Sequence, residues 1–253
     1  MAVDLLARDI VHGLDPTVFV SDRLGFVPDP WQERVLRSPS RQIVLNVSRQ
    51  AGKSTTVAAL ALHTALYEPG ALILLVSPSQ RQSRELFAKA MDFLRRLEPA
   101  EELEEDNRLS ATLKNRSRIV SLPGDQKTIR GFSAPSLVVE DESAYVDDTT
   151  YAAVRPMLAI SQGKLILMST PAGRRGHFYE IWTTAEDWER IRITGPECPR
   201  ISAEFLGQEK KALGDLLYSQ EYLGEFIEDA ASLFDDHLIE AMFTDNFEPF
   251  ALA

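Results

Sequence analysis

A single cysteine, Cys198, stands in 253 residues. That excludes an intrachain disulfide and fits a reducing compartment. No apolar run approaches the roughly 20 residues that a membrane span needs. The most apolar run, Ala71 to Val76, has the length of a strand. Met1 to Ile10 carries Asp4, Arg8 and Asp9 and does not read as a signal peptide. Basic excess is missing too: 27 Lys and Arg face 38 Asp and Glu, a formal net charge of −11. Proteins dedicated to nucleic acid tend to carry a basic surface. Any such contact here must be a local patch, or be shared with other domains or subunits. The histidines (His12, His63, His177 and His237) and Cys198 show no metal-ligand spacing. No Ser-His-Asp arrangement, internal repeat or low-complexity segment stands out.

What is present reads as a globular α/β chain, 44% hydrophobic and 26% charged, long enough for one large domain with a small appendage. Residues 1–25 read as one or two short helices. A helix starts at Trp31, with Asp29 as N-cap and Pro30 at the first helical position. Apolar runs at 42–47, 72–77, 137–139, 164–169 and 191–193 read as strands. Helical patterns at 55–67, 81–97 and 176–185 alternate with them. That alternation predicts a mainly parallel sheet covered by helices on both faces. Residues 98–107 are acidic and read as solvated, and 110–114 with 118–122 as a hairpin. Helices are expected at 202–213, 215–226 and 235–243. Thr244 to Ala253 reads as a linker.

Ser48-Arg49-Gln50-Ala51-Gly52-Lys53-Ser54-Thr55 lies between a strand and a helix. A tight Gly-Lys-Ser turn in that setting aims backbone N–H groups and a helix N-terminus at an anion. The lysine neutralises phosphate and the hydroxyl reaches Mg²⁺. The reading is an ATP site. The general pattern G-x-x-x-x-G-K-[ST] is incomplete, since Val47 stands where the first glycine belongs. Arg49 adds a second cation, or is a plain surface arginine.

Leu137-Val138-Val139 runs into Glu140-Asp141-Glu142. ATP hydrolysis needs one carboxylate near Mg²⁺ and a second to orient or deprotonate water. Asp141 is assigned to Mg²⁺ and Glu142 to water, both reaching the site from beyond the strand's end. Glu140 points elsewhere. A third apolar strand ends in Ser169-Thr170-Pro171, where hydroxyls could sense the γ-phosphate. Ligands of open parallel sheets sit outside such carboxyl ends.

Together these residues resemble the large terminase subunits, the DNA-packaging motors of tailed bacteriophages. Residues 48–55 are similar to that family's deviant Walker A, which lacks the first glycine and carries Arg or Lys within the loop. Pro30-Trp31-Gln32 resembles its adenine-recognition segment, with Gln32 bonding the base. Val139 to Val146 resembles its Walker B and catalytic glutamate. Ser169-Thr170-Pro171-Ala172-Gly173, with His177 to Trp182, resembles its coupling motif and following helix. Thr128-Ile129-Arg130-Gly131 and Tyr218 to Phe226 match as well, so the resemblance spans about residues 26–234.

The resemblance implies a P-loop NTPase of the ASCE, RecA/helicase-like type. Residues 1–200 would form the ATPase core with its N-terminal helices. Residues 201–253 would form a helical lid and linker leading to a nuclease domain absent from this chain. It implies ATP and Mg²⁺ as cofactors, phosphates held by residues 48–55, and metal held by Ser54 and Asp141. Glu142 would be catalytic, and Ser169, Thr170 and Pro171 would couple. An arginine finger is expected, either Arg49 in cis or Arg130 in trans. Arg130 is equally read as a structural arginine pairing with Asp125 or a strand-end carboxylate. Expected partners are double-stranded DNA, a portal protein and a small terminase subunit, with no membrane. The assembled form would be a homo-oligomeric ring, read as a pentamer, and the isolated chain a monomer. The place of action would be the host cytoplasm, at the procapsid portal vertex. Arg81, Arg84, Arg116, Arg118, Lys127, Arg174 and Arg175 could line a DNA channel, or be ordinary solvated residues. Two other readings remain: a DNA-stimulated helicase-like ATPase, and an ATP-binding assembly module with little turnover.

Overall fold

The structure, a computed structural model, describes residues 2–97 and 103–227. Helices α1 (Ala2–Leu14), α2 (Pro16–Phe19) and α3 (Pro30–Arg37) precede β1 (Gln42–Val47). There follow α4 (Lys53–Tyr67), β2 (Leu72–Ser77), α5 (Gln80–Arg95), β3 (Leu103–Asp106), β4 (Ser110–Leu113) and β5 (Arg118–Pro123). Next come α6 (Gln126–Ile129), β6 (Leu137–Asp141), α7 (Asp148–Ser161), β7 (Lys164–Ser169), α8 (Gly176–Thr184), β8 (Glu189–Ile193) and α9 (Ala203–Leu223). The expected helix at 235–243 and the linker at 244–253 lie outside the described residues.

The strands form one sheet in the order β3-β4-β5-β2-β6-β7-β1-β8. From β5 to β8 neighbouring strands are parallel; β3 and β4 add an antiparallel edge. The strand that ends at Ser169 is thus inserted between the phosphate-loop strand and the acidic strand. Asn46 and Asp141 stand in register with Ser169 and Met168 respectively.

Period-two alternation sorts the strand side chains into two cores. Ile43, Leu45, Ile73, Leu75, Val139, Ile166 and Met168 pack with α3, α4 and α5. Val44, Leu74, Val76, Val138, Leu165 and Leu167 pack with Ala153 and Val154 of α7 and with Phe178 and Ile181 of α8. Helix α4 is buried around most of its circumference, with Val57, Ala58, Ala59, Leu60, Ala61, Leu62 and Ala65 all inside. Its N-terminus is therefore fixed rigidly at the end of β1.

Three details differ from the sequence reading. The acidic segment is not merely solvated: Leu103–Asp106 pairs antiparallel with β4. Glu104 and Glu105 stand exposed on this edge strand, where charge discourages further pairing. Helix α7 was not expected; Pro156 sits inside it and masks its pattern. The acidic strand runs on through Asp141, so only Glu142 lies beyond its end. The two helices expected at 202–213 and 215–226 are present within α9, separated at Gly214 (φ 75°, ψ 170°). Leu206, Tyr218 and Tyr222 of α9 form a small apolar cluster of their own.

Candidate nucleotide site

The loop between β1 and α4 turns through Gln50 (φ 63°) and Gly52 (φ 97°). The φ of Gly52 is one that L side chains rarely adopt, and a Cβ there would also lie 3.0 Å from Gln32 Nε2 and 3.1 Å from an Arg200 nitrogen. The Ser48 N–H donates to Ile193 O at 2.9 Å, and the Arg49 N–H to Glu221 O at 3.3 Å. Ser48 and Ala51 are buried, which pins the loop to the body. The first N–H groups of α4, from Lys53 to Thr55, have no intrahelical acceptor and are available to an anion. A cleft of about 750 Å³ opens there, lined by Arg49, Gln50, Gly52, Lys53, Ser54 and Thr55 on one side and by Glu142, Tyr145 and Arg200 on others. That volume suits a nucleotide-sized ligand.

Lys53 Nζ lies 2.8 Å from Glu142 Oε1, and Ser169 Oγ donates to Glu142 Oε2 at 3.3 Å. Asp141 and Glu140 leave the strand on opposite faces. Asp141 shares the α4 face with Val139 and accepts the Glu142 N–H at 3.0 Å. Burial first, and the Glu142 charge second, raise the Asp141 carboxyl from 3.8 to about 6, against the pull of Lys53. A buried carboxylate with so little compensation is a group that a cation would stabilise. Glu142 itself stands in the left-handed region (φ 51°, ψ 45°). Non-glycine residues persist there only when their surroundings over-determine them.

Gln32 is buried, with Oε1 accepting the Asp29 N–H at 2.8 Å and Nε2 donating to Thr56 Oγ1 at 2.8 Å. The other N–H of the amide is not engaged by these two contacts. Thr170 and Pro171 are buried beside the end of β7. Arg49 lines the cleft, but its guanidinium is turned onto α9, with Nε 2.5 Å from Glu221 Oε2. Arg130 caps α6, is exposed, and lies apart from the cleft lining. Asp125 is occupied by the Lys127 N–H and the Thr128 hydroxyl, so the expected Arg130–Asp125 pair is not formed. Arg81 and Arg84 line a second cleft with Arg95 and Arg108, between α5 and the β3–β4 edge.

No cluster of three or more His, Cys, Asp or Glu side chains among the described residues could cage a metal. Mg²⁺ does not need one. It keeps waters and binds through one or two protein groups plus substrate phosphates. Asp141, with the Ser54 hydroxyl at the head of α4, fits that description.

A family model described as terminase large subunit, T4likevirus-type, N-terminal, matches residues 44–241. The chain belongs to this family. The terminase large subunit of Thermus virus P23-45 is 24% identical over 258 residues, covering 87% of this chain and 53% of its own length. The chain therefore spans about half the length of the curated relatives it matches. The large terminase ATPase domain of Thermus phage P74-26 matches with a TM-score of 0.75 at 22% identity, over 85% of this chain and 100% of that one. The large terminase of a thermophilic bacteriophage, in complex with ATP-gamma-S, matches with a TM-score of 0.63 at 13% identity, over 78% and 52% of the two chains. These likenesses establish the fold: a mostly parallel sheet covered by helices, as in the large terminase ATPase domains.

Two side chains in this terminase site were not legible in the sequence. Arg200 donates to Ala51 O at 2.5 Å and pairs with Asp29 Oδ2 at 2.7 Å, clasping the loop from 149 residues away. Glu221 holds Arg49 across 172 residues. No spacing rule links positions so distant. Only the return of the chain past β8 brings them to the loop.

Proposed function

We propose that this chain is the ATP-hydrolysing motor domain of a viral DNA-packaging terminase. One arrangement carries the reading: Lys53, Glu142, Asp141 and Ser169 converge at the carboxyl ends of the adjacent parallel strands β1, β7 and β6. In the ligand-free chain the Lys53 ammonium rests on Glu142. A γ-phosphate entering the cleft competes for that ammonium and frees the Glu142 carboxylate. Glu142 then takes the proton of a water that attacks the γ-phosphorus in line with the bridging oxygen to ADP, whose bond to that phosphorus breaks. Gln32 reaches the base with its free N–H, and residues 48–55 hold the phosphates. Ser54 and Asp141 would hold Mg²⁺, which supplies neutralisation of charge on the phosphate oxygens. Arg49 stabilises transition-state charge in cis once it leaves Glu221. Arg130, exposed and outside the cleft, serves a neighbouring subunit in trans.

Ser169 is bonded to Glu142 at the head of the Thr170–Pro171 segment, which supports a coupling role for these three residues. The work coupled is movement of double-stranded DNA into a procapsid at the portal vertex. It would take place in the host cytoplasm, with the portal protein, the small terminase subunit and further copies of this chain in a ring as partners. Residues 201–227 act as the lid.

The test is phosphate release from ATP with and without DNA, beside nucleotide binding by calorimetry. Glu142→Gln is expected to retain binding and lose turnover by at least about 100-fold, the scale of removing a general base. Steady-state hydrolysis that survives the substitution would remove Glu142 from this role. Binding without turnover in the unsubstituted chain would favour an assembly module.

A further inference from the structure

The proposed chemistry uses Asp141 and Glu142 and leaves Glu140 without a task. Glu140 is fully buried on the α7–α8 face of the sheet. Its Oε1 lies 2.6 Å from His177 Nε2 and accepts from Ser143 Oγ at 2.5 Å. Ser143 Oγ is itself 3.0 Å from the same Nε2. Across the ring, His177 Nδ1 lies 2.8 Å from Asp148 Oδ1, which also accepts the His177 backbone N–H at 2.8 Å. Tyr151 stacks on the imidazole, with centroids 4.6 Å apart and planes 7° apart. With a carboxylate beside each nitrogen, the ring is placed to donate from both when it is protonated. Burial opposes that charge, but Glu140 and then Asp148 outweigh it and hold the imidazole above its ordinary value.

Glu140 and Ser143 bracket Glu142, and both are anchored to this one ring. Glu142 sits between them in a left-handed backbone that needs outside support. The ring belongs to the first turn of α8, which follows the Ser169–Gly173 segment directly. Its other partner, Asp148, starts α7.

We propose that His177 is a positioning residue: by bridging Glu140 and Ser143 to Asp148, it holds Glu142 at the γ-phosphate and ties that geometry to the heads of α7 and α8. A change at the phosphate then moves two helices as well as one loop. The inference rests on the ATPase reading. A merely structural buried pair would change stability and leave the chemistry of the folded molecules alone.

The experiment uses the whole chain and compares wild type with His177→Ala, His177→Gln and Asp148→Asn. It measures kcat, the Kd for ATP-gamma-S with Mg²⁺, thermal melting, and the imidazole ¹⁵N resonances of His177. His177→Ala is expected to keep its Kd within about threefold. Its kcat, measured well below the melting temperature, should fall by about tenfold or more, the scale on which losing the group behind a functional side chain acts. His177→Gln, which can still donate to Glu140, should recover part of the rate. The wild-type imidazole resonances should shift when the nucleotide is added. If His177→Ala fails to fold, Asp148→Asn carries the same test, since that carboxylate is 64% exposed. Folded variants with wild-type kcat, or resonances that ignore the nucleotide, overturn the inference while the ATPase reading stands. A wild-type chain that binds no nucleotide overturns both. One that binds without turnover leaves the decision to the resonances.

Discussion

Asp141 stores the electrostatic tension of the site in a single side chain. Its folded pKa of about 6 lies above the ordinary 3.8, because burial and Glu142 disfavour the charged form. The folded chain therefore binds this proton more tightly than the unfolded chain does. The stabilisation is whole below about pH 4 and is lost as pH rises through about 6. A cation reverses the preference, since only the carboxylate ligates. The melting temperature of the ligand-free chain is expected to carry a component that falls between about pH 4 and 7, and Asp141→Asn should remove it. Affinity for ATP-gamma-S with Mg²⁺ should weaken by about tenfold per pH unit below 6, as metal and proton compete for one oxygen pair. Melting curves of the two proteins across pH decide the first point; identical profiles would refute it. Calorimetry at pH 5 and 7 decides the second.

Among the elements, α9 matters most for the state of the loop. Its Glu221 takes the Arg49 guanidinium, its last turn passes the Leu223 carbonyl to Arg192, and the Gly224 carbonyl accepts from Asn46 at 2.7 Å. The loop arginine is thus held on α9, turned away from the Lys53–Glu142 pair that it would join in the proposed chemistry. Glu221→Ala should release it. The pair is partly exposed, with the Arg49 side chain 61% accessible, so its worth is about 0.5–1 kcal/mol. Nucleotide that need not break it should bind about two- to fivefold tighter. Calorimetric titration of the variant checks this, and a weaker Kd would show that Glu221 supports the bound state. Element boundaries were largely readable. The Gly-Lys-Ser turn, the Asp29–Pro30 helix start and the apolar strands all follow from local chemistry. Helix α7 was not, because Pro156 breaks its pattern. Strand β3 was not, because a carboxylate-rich edge looks the same whether paired or free.

On the scale of the whole molecule, charge and exposure set the expectations. With a net charge of −11, the isolated chain should hold DNA poorly. Arg130 is exposed and has no ion-pair partner among the described residues, so it is free to meet a neighbouring copy. Arg130→Ala should abolish the DNA- or ring-stimulated part of ATP hydrolysis and leave the basal rate of the monomer intact. Arginine fingers carry about 10³–10⁵ in rate. Comparing turnover at low and high chain concentration, with and without DNA, tests it. An equal loss in both forms would place Arg130 in its own subunit's chemistry.

Local order in the chain was enough to fix the phosphate loop, the acid pair and the alternation of strand and helix. Each depends on neighbours within a few residues: a left-handed glycine, a helix N-terminus, a period of two. Even the opposite facing of Glu140 and Asp141 follows from that period. What the sequence could not determine is who meets whom across the sheet. The insertion of β7 between β1 and β6, the clasp of Arg200, the hold of Glu221 on Arg49 and the imidazole between Glu140 and Asp148 join residues tens to more than a hundred positions apart. Such contacts come from burying two apolar sheet faces at once. That packing, and no local rule, decides which polar groups are carried inside together.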